Sequence, residues 1–230
     1  MFLGSDNKMK WLRLAIATPV ALAIILAGVF WFDAPVLIAM RQMDCRFWQI
    51  LSYVFDEKIW TVVFAVALGT VYIKKSMQSK ICFKNDKNRF SIKAILRDFW
   101  QKTKNSNVFL IFCSILCTAI IVEVLKVSFG RARPILFEAL DFRGFYPPSF
   151  DWVFNSMPSG HTAISFAALV MMGMLAPSAK VFTWTLAVLI GVARVCVGAH
   201  WPSDVIFGAF IGMVVADFVK WAVVRLRAIK

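Results

Sequence analysis

Two histidines, His161 and His200, are the only ones in the 230-residue chain, and each sits among residue types that bind anions and move protons. His161 closes the segment Pro158-Ser159-Gly160-His161. His200 lies inside Arg194-Val-Cys-Val-Gly-Ala-His200-Trp-Pro-Ser-Asp204. A third segment, Lys126-Val-Ser-Phe-Gly-Arg-Ala-Arg133-Pro134, precedes both. A histidine with a carboxylate four residues on suits a nucleophile, and a second histidine suits proton transfer. Lys126, Arg133 and Arg194, with free N–H groups at a helix start beside Ser159 and Gly160, suit a tetrahedral oxyanion. Each segment alone also has an ordinary reading. Lys126 to Arg133 could be an interfacial cluster whose cations snorkel. Ser159 could simply cap a helix and satisfy its first N–H groups. Asp204 could cap the next helix, and His200 could be an interfacial aromatic.

The elements that would hold these segments are membrane spans. Apolar residues make up 60% of the chain, and the mean hydropathy is +0.71. A soluble domain of this size cannot bury that much apolar surface. Apolar runs fall at 12–32, 59–73, 108–125, 161–176, 181–197 and 205–224. They predict an all-α fold: one domain over 1–230, a bundle of six transmembrane helices. The second and fourth runs are short and need flanking residues such as Lys58 and Pro158–Gly160 to span. No cleavage site follows the first run, which reads as an uncleaved span.

Charge sets the orientation. The net charge is +13, and 18 of the 26 Lys and Arg residues fall on one side if six spans alternate. Ten of these lie in the loop 74–107. That side should be cytoplasmic, with both termini inside and the three motif segments at the extracytoplasmic end of an inner-membrane protein. Membrane orientation explains the basic excess more simply than nucleic acid does. Within the loop, Ile92, Ile95, Leu96, Phe99 and Trp100 follow helical spacing and predict a short amphipathic helix on the leaflet surface. The stretch between Pro134 and Pro158 is rich in Phe, Tyr and Trp and fits either an interfacial rim or lid beside a lipid entrance or simple anchoring at the interface. Arg131 could add to phosphate binding or sit in the headgroup region, and the latter is favoured; Glu123, one turn before Lys126, could position that lysine. The five cysteines lack paired metal-ligand spacing.

The three segments read K-x6-RP, PSGH and R-x5-H-x3-D, in that order. This pattern resembles the type-2 phosphatidic acid phosphatase superfamily, which includes vanadium haloperoxidases and bacterial acid phosphatases. The motif-bearing part runs from Lys126 to Asp204. One departure is Ala193, where the family usually has serine before the arginine of the third motif. The resemblance implies a lipid phosphate or pyrophosphate phosphatase that works through a phosphohistidine and needs no metal or other cofactor. In it His200 attacks phosphorus, Asp204 holds the other ring nitrogen, and His161 protonates the leaving alkoxide and then activates water. Lys126, Ser159, Gly160, Arg133 and Arg194 would hold the phosphoryl oxygens. The partners implied are the bilayer and a lipid: undecaprenyl pyrophosphate, phosphatidylglycerol phosphate, phosphatidate or lipid A. A lipid phosphotransferase, a haloperoxidase and a non-enzymatic lipid transporter are the alternatives. The haloperoxidases of the family are soluble, which argues against that reading, and a transporter would not need both histidines and Asp204 in register.

Overall fold

The structure is a computed structural model that describes residues 2–4, 7–79 and 92–228. It is helical, and among the described residues the only β pairing is two isolated bridges, Leu3 with Met9 and Arg131 with Phe145.

Helix α1 (Trp11–Ala27) passes through a π-helical turn at Gly28–Phe32 into α2 (Asp33–Arg41). A π turn inserts one residue into the helical ladder and shifts the register of the residues after it. The first of these is Asp33, which is buried. The amphipathic α3 (Arg46–Val54) has no counterpart among the expected spans, because nine residues are too few to read as one. Then come α4 (Glu57–Ser79), α5 (Ile92–Thr103), α6 (Asn107–Phe129), a short α7 (Pro134–Leu140), α8 (Gly160–Leu175), α9 (Lys180–Cys196) and α10 (Pro202–Ala228). Among the described residues, five helical stretches are long and apolar enough to cross a membrane. They are Trp11–Arg41, Glu57–Gln78, Asn107–Phe129, Pro177–Cys196 and Pro202–Leu226. The fourth expected span is the shorter apolar helix Gly160–Leu175.

That shorter helix is the centre of the bundle. α8 packs against α6, α9 and α10 and buries Ile164, Ala167, Ala168, Val170 and Met171. α10 approaches it closely at Gly212, where a Cβ would lie 2.8 Å from the Cβ of Phe166 and run into the carbonyl of Ala163. Small residues let transmembrane helices reach such distances, where dispersion contacts hold them. α1 and α4 flank this core and expose many of their apolar side chains, as lipid-facing helices do, while Leu68 of α4 is buried in it. The amphipathic helix expected in the basic loop is α5. Its Asp98 accepts from Tyr72 of α4 at 2.9 Å and from Lys102 at 2.8 Å, which ties it to the end of α4. Lys80, Lys84, Lys87 and Arg89 of that loop lie outside the described residues.

Candidate active site

The three sequence segments meet at one end of the bundle, where α6 ends and α8 and α10 begin. α6 stops because Gly130 takes a left-handed conformation (φ 57°), and its N–H closes on the carbonyl of Lys126 at 2.9 Å. A side chain at Gly130 would collide with the Tyr146–Pro147 backbone. The turn after it is pinned by backbone hydrogen bonds to the stretch 144–156: Ala132 to Gly144 O at 3.0 Å, Arg133 to Val153 O at 2.9 Å and Ser156 to Arg131 O at 3.1 Å. The aromatic stretch is therefore the clamp that sets the direction of Arg131 and Arg133. It also leaves Tyr146, Phe150 and Trp152 exposed.

Behind His200, α9 ends so that the amides of Ala199 and His200 both return to the carbonyl of Arg194, at 3.1 and 3.3 Å. This is the spatial content of the five-residue gap between Arg194 and His200. The Ser159 amide donates to the carbonyl of Asp204 at 3.1 Å, and Arg133 Nη1 donates to Ala199 O at 3.3 Å. Segments 126–134, 158–161 and 194–204 are thus hydrogen-bonded to one another or to a common neighbour.

His200 is buried, with 1% of its surface exposed. Its Nδ1 lies 2.8 Å from the carbonyl of Ser156, which can only accept, so Nδ1 carries the proton and Nε2 the lone pair. Asp204 Oδ2 is 3.8 Å from Nδ1, beyond hydrogen-bonding distance. The expected Asp204–His200 hydrogen bond is therefore indirect. Oδ2 instead accepts from Ser156 Oγ at 2.6 Å and from the Trp201 amide at 3.0 Å. Asp204 thus holds the residue whose carbonyl holds His200, and it also caps α10 by reaching back to Trp201. Burial pushes the His200 imidazole down to about 3. The Asp204 carboxylate opposes that shift, and Arg133 and Arg194 add to it.

Arg133 and Arg194 lie close enough to His200 to act on its charge, and Lys126 lies beside Gly160 at the start of α8. Lys126 Nζ donates to Glu123 at 2.9 Å, the neighbour expected one turn away, and is 4.0 Å from Glu57. Arg133 is held by the carbonyls of Trp152, Ala199 and Asn155 and stacks on Trp152 at 4.5 Å. Burial lowers its pKa, against the pull of Asp204, Glu57 and Glu123. Arg194 Nη1 donates to Ser52 of α3, while its buried Nε has no acceptor among the described residues. Ser159 stands at the N-cap of α8, but its side chain caps nothing; it accepts from Thr162 Oγ1 at 3.0 Å. The first N–H groups of α8 are thus left uncapped by that hydroxyl, as an anion site at a helix start requires.

The chain belongs to the PAP2 superfamily. The family model matches residues 107–228, which contain all three motifs. The chain is 30% identical over 204 residues to a lipid A 1-phosphatase of Rhizobium etli, covering 89% of this chain and 81% of that one. A second similar protein is the undecaprenyl-diphosphatase of Sulfolobus acidocaldarius, 31% identical over 117 residues, 49% of this chain and 53% of that one. In fold the chain is similar to the crystal structure of Aquifex aeolicus LpxE, with a TM-score of 0.52 and 20% identity over 83% of this chain and 95% of that one.

Four residues of this PAP2 site are not where the sequence places them, or carry no signal in it. Arg131 is not in the headgroup region: it is 3% exposed and bridges Asp204 Oδ1 at 2.6 Å and Asp33 Oδ2 at 2.5 Å. Asp33 also takes the Ser203 amide at 2.9 Å. Burial alone would lower the Arg131 pKa, but the two carboxylates raise it. Asp33 has a signal, an ionisable residue next to an apolar run, but that run reads as ending at Phe32. Asp56 and Glu57 precede the second run and carry none. Asp56 Oδ2 lies 2.9 Å from His161 Nε2. Glu57 Oε2 occupies the place of a Cβ on Gly160, a place that is 3.1 Å from Lys126 Nζ. Glu57 and Glu123 also line a cavity of about 310 Å³ between α4, α6 and α8, walled by Val62, Ala119, Val122 and Ile164.

Proposed function

We propose that this PAP2 phosphatase hydrolyses the phosphate of a membrane lipid through a phosphohistidine on His200, without a metal ion. The observation that supports this most is the convergence of His200, His161 and three cations on the start of α8. His200 Nε2 attacks phosphorus with its lone pair, the bond from phosphorus to the lipid oxygen breaks, and His161 gives that oxygen a proton. His161 then takes a proton from water as the water oxygen displaces Nε2. Ser156 keeps Nδ1 protonated throughout, and Asp204 offsets the positive charge that the ring acquires. Lys126, Arg133, Arg194 and the N–H groups of Gly160 and its neighbours hold the phosphoryl oxygens, supplying the charge that a metal would bring elsewhere.

The site lies at the extracytoplasmic end in this reading, with both termini cytoplasmic, because the loop 74–107 is strongly basic. The cavity between α4, α6 and α8 would take the apolar part of the lipid next to Lys126. The Rhizobium relative favours a lipid A phosphate as substrate, and the archaeal relative puts undecaprenyl pyrophosphate second. The test is phosphate release by the purified protein from lipid A, undecaprenyl pyrophosphate, phosphatidylglycerol phosphate and phosphatidate in detergent, with a strong chelator present. Free phosphate with the dephosphorylated lipid is expected. Transfer of the phosphate to a second lipid would make the protein a phosphotransferase, and activity that needs added magnesium would overturn the metal-free step.

A further inference from the structure

We propose that Asp56 is the positioning carboxylate of His161, and that the two form a dyad in which Nδ1 of His161 is the atom that gives and takes the proton. The inference rests on the role proposed for His161 in hydrolysis. Asp56 stands in the turn between α3 and α4, more than a hundred residues before His161, and its Oδ2 is 2.9 Å from Nε2. It does not swing freely, because its other oxygen accepts from the Lys58 amide at 2.8 Å. That bond is the first turn of α4, so the helix start holds the carboxylate that holds the imidazole.

The opposite ring nitrogen faces the anion cradle. Nδ1 is 3.9 Å from Glu57 Oε2, and that same oxygen sits against Gly160 and near Lys126, where a phosphoryl oxygen would bind. A ring held at Nε2 by Asp56 therefore presents Nδ1 to the substrate. The charged groups facing His161 come from each neighbouring element: Asp56 and Glu57 before and on α4, Lys126 on α6 and Arg194 on α9. Of these groups, Asp56 is the one within hydrogen-bonding distance of the ring. The burial that raises the Asp56 carboxyl is outweighed by the Lys58 amide and by His161, so it stays ionised. In the first step the Nδ1 proton passes to the leaving oxygen while Nε2–H stays on Asp56. In the second step Nδ1 takes a proton from water, restoring the imidazolium.

The experiment compares Asp56→Asn, Asp56→Glu and His161→Ala in the purified full chain with two probes of similar size. One is 4-nitrophenyl phosphate, with a good leaving group, and the other is phenyl phosphate, with a poor one. First-turnover release of the phenol is measured against pH. Asp56→Asn should slow phenyl phosphate at least about tenfold more than 4-nitrophenyl phosphate, a part of the roughly 10²–10⁴-fold that a general acid typically contributes. Losing the negative partner lowers the imidazole pKa, so the alkaline limb of its rate profile should move to lower pH. Asp56→Glu should restore part of both effects. Equal losses on both probes with an unmoved limb would make Asp56 merely structural and overturn the dyad. If His161→Ala itself treats the probes alike, the proton-donor reading falls and the dyad with it. If His161→Ala discriminates and Asp56→Asn does not, only the dyad falls.

Discussion

Arg131 and Asp204 form a buried ion pair, Nη1 to Oδ1 at 2.6 Å, and Asp33 of the first transmembrane stretch completes it at 2.5 Å from Nη2. Arg131 compensates the charge that Asp204 carries next to His200, and the Ser156 hydroxyl and Trp201 amide support it at the other oxygen. Breaking a buried pair by removing one partner leaves an uncompensated charge and costs about 3–5 kcal/mol. Arg131→Met should lower the thermal midpoint of the purified protein more than any change at an exposed basic residue such as Arg143. Arg131→Lys keeps the charge but loses the two-pronged geometry, and should fall between. An unchanged midpoint in Arg131→Met, read by tryptophan fluorescence, would show that the triad is dispensable.

The two histidines should fail differently. His200→Ala removes the proposed nucleophile, so no labelled protein should form from radioactive substrate. His161→Ala leaves Nε2 of His200 intact but lacks the base for the second step, which typically contributes 10²–10⁴-fold. With 4-nitrophenyl phosphate, an acid-labile and base-stable label should accumulate on the His161→Ala protein after rapid quenching. Label in His200→Ala but not in His161→Ala would reverse the roles. Label in neither would favour direct attack by water.

His200 should stay neutral across the physiological range. In His161→Ala it is the sole histidine, so ¹⁵N spectra of labelled protein report it alone. With the folded pKa at about 3 and an unfolded value near about 6.5, the unfolded chain binds a proton that the folded chain refuses. Stability therefore falls as pH drops from about 6.5 toward 3 and does not depend on this group above that window. The spectra should show the Nδ1–H tautomer unchanged from pH 8 to 5. A titration midpoint near 6.5 would contradict the burial of the ring.

Orientation can be read with an impermeant thiol reagent on intact cells. Cys45, exposed between α2 and α3, lies on the side assigned to the outside and should label. A cysteine placed at the exposed Asn105, in the turn after α5, should label only after the cells are opened. The reverse pattern would put the site on the cytoplasmic face.

Hydropathy runs are local, and a bilayer demands them of each span separately. That is why an apolar helix at each of the six stretches, and the amphipathic α5, is legible in the chain alone, while the helix ends are not: the first stretch runs on to Arg41, past the Phe32 where its apolar run ends. The motif residues are legible for a related reason: their types and short spacings already state a chemistry. What only the tertiary structure decided is which residues complete that chemistry from afar. Asp33 reaches Arg131 across 98 positions, His200 is held by a backbone carbonyl 44 positions away, and Asp56 meets His161 across four helices. A carboxylate at a span end reads the same in sequence whether it faces water or a histidine. Packing separates the two, because burying an ionised group is tolerable only where the fold brings it a partner.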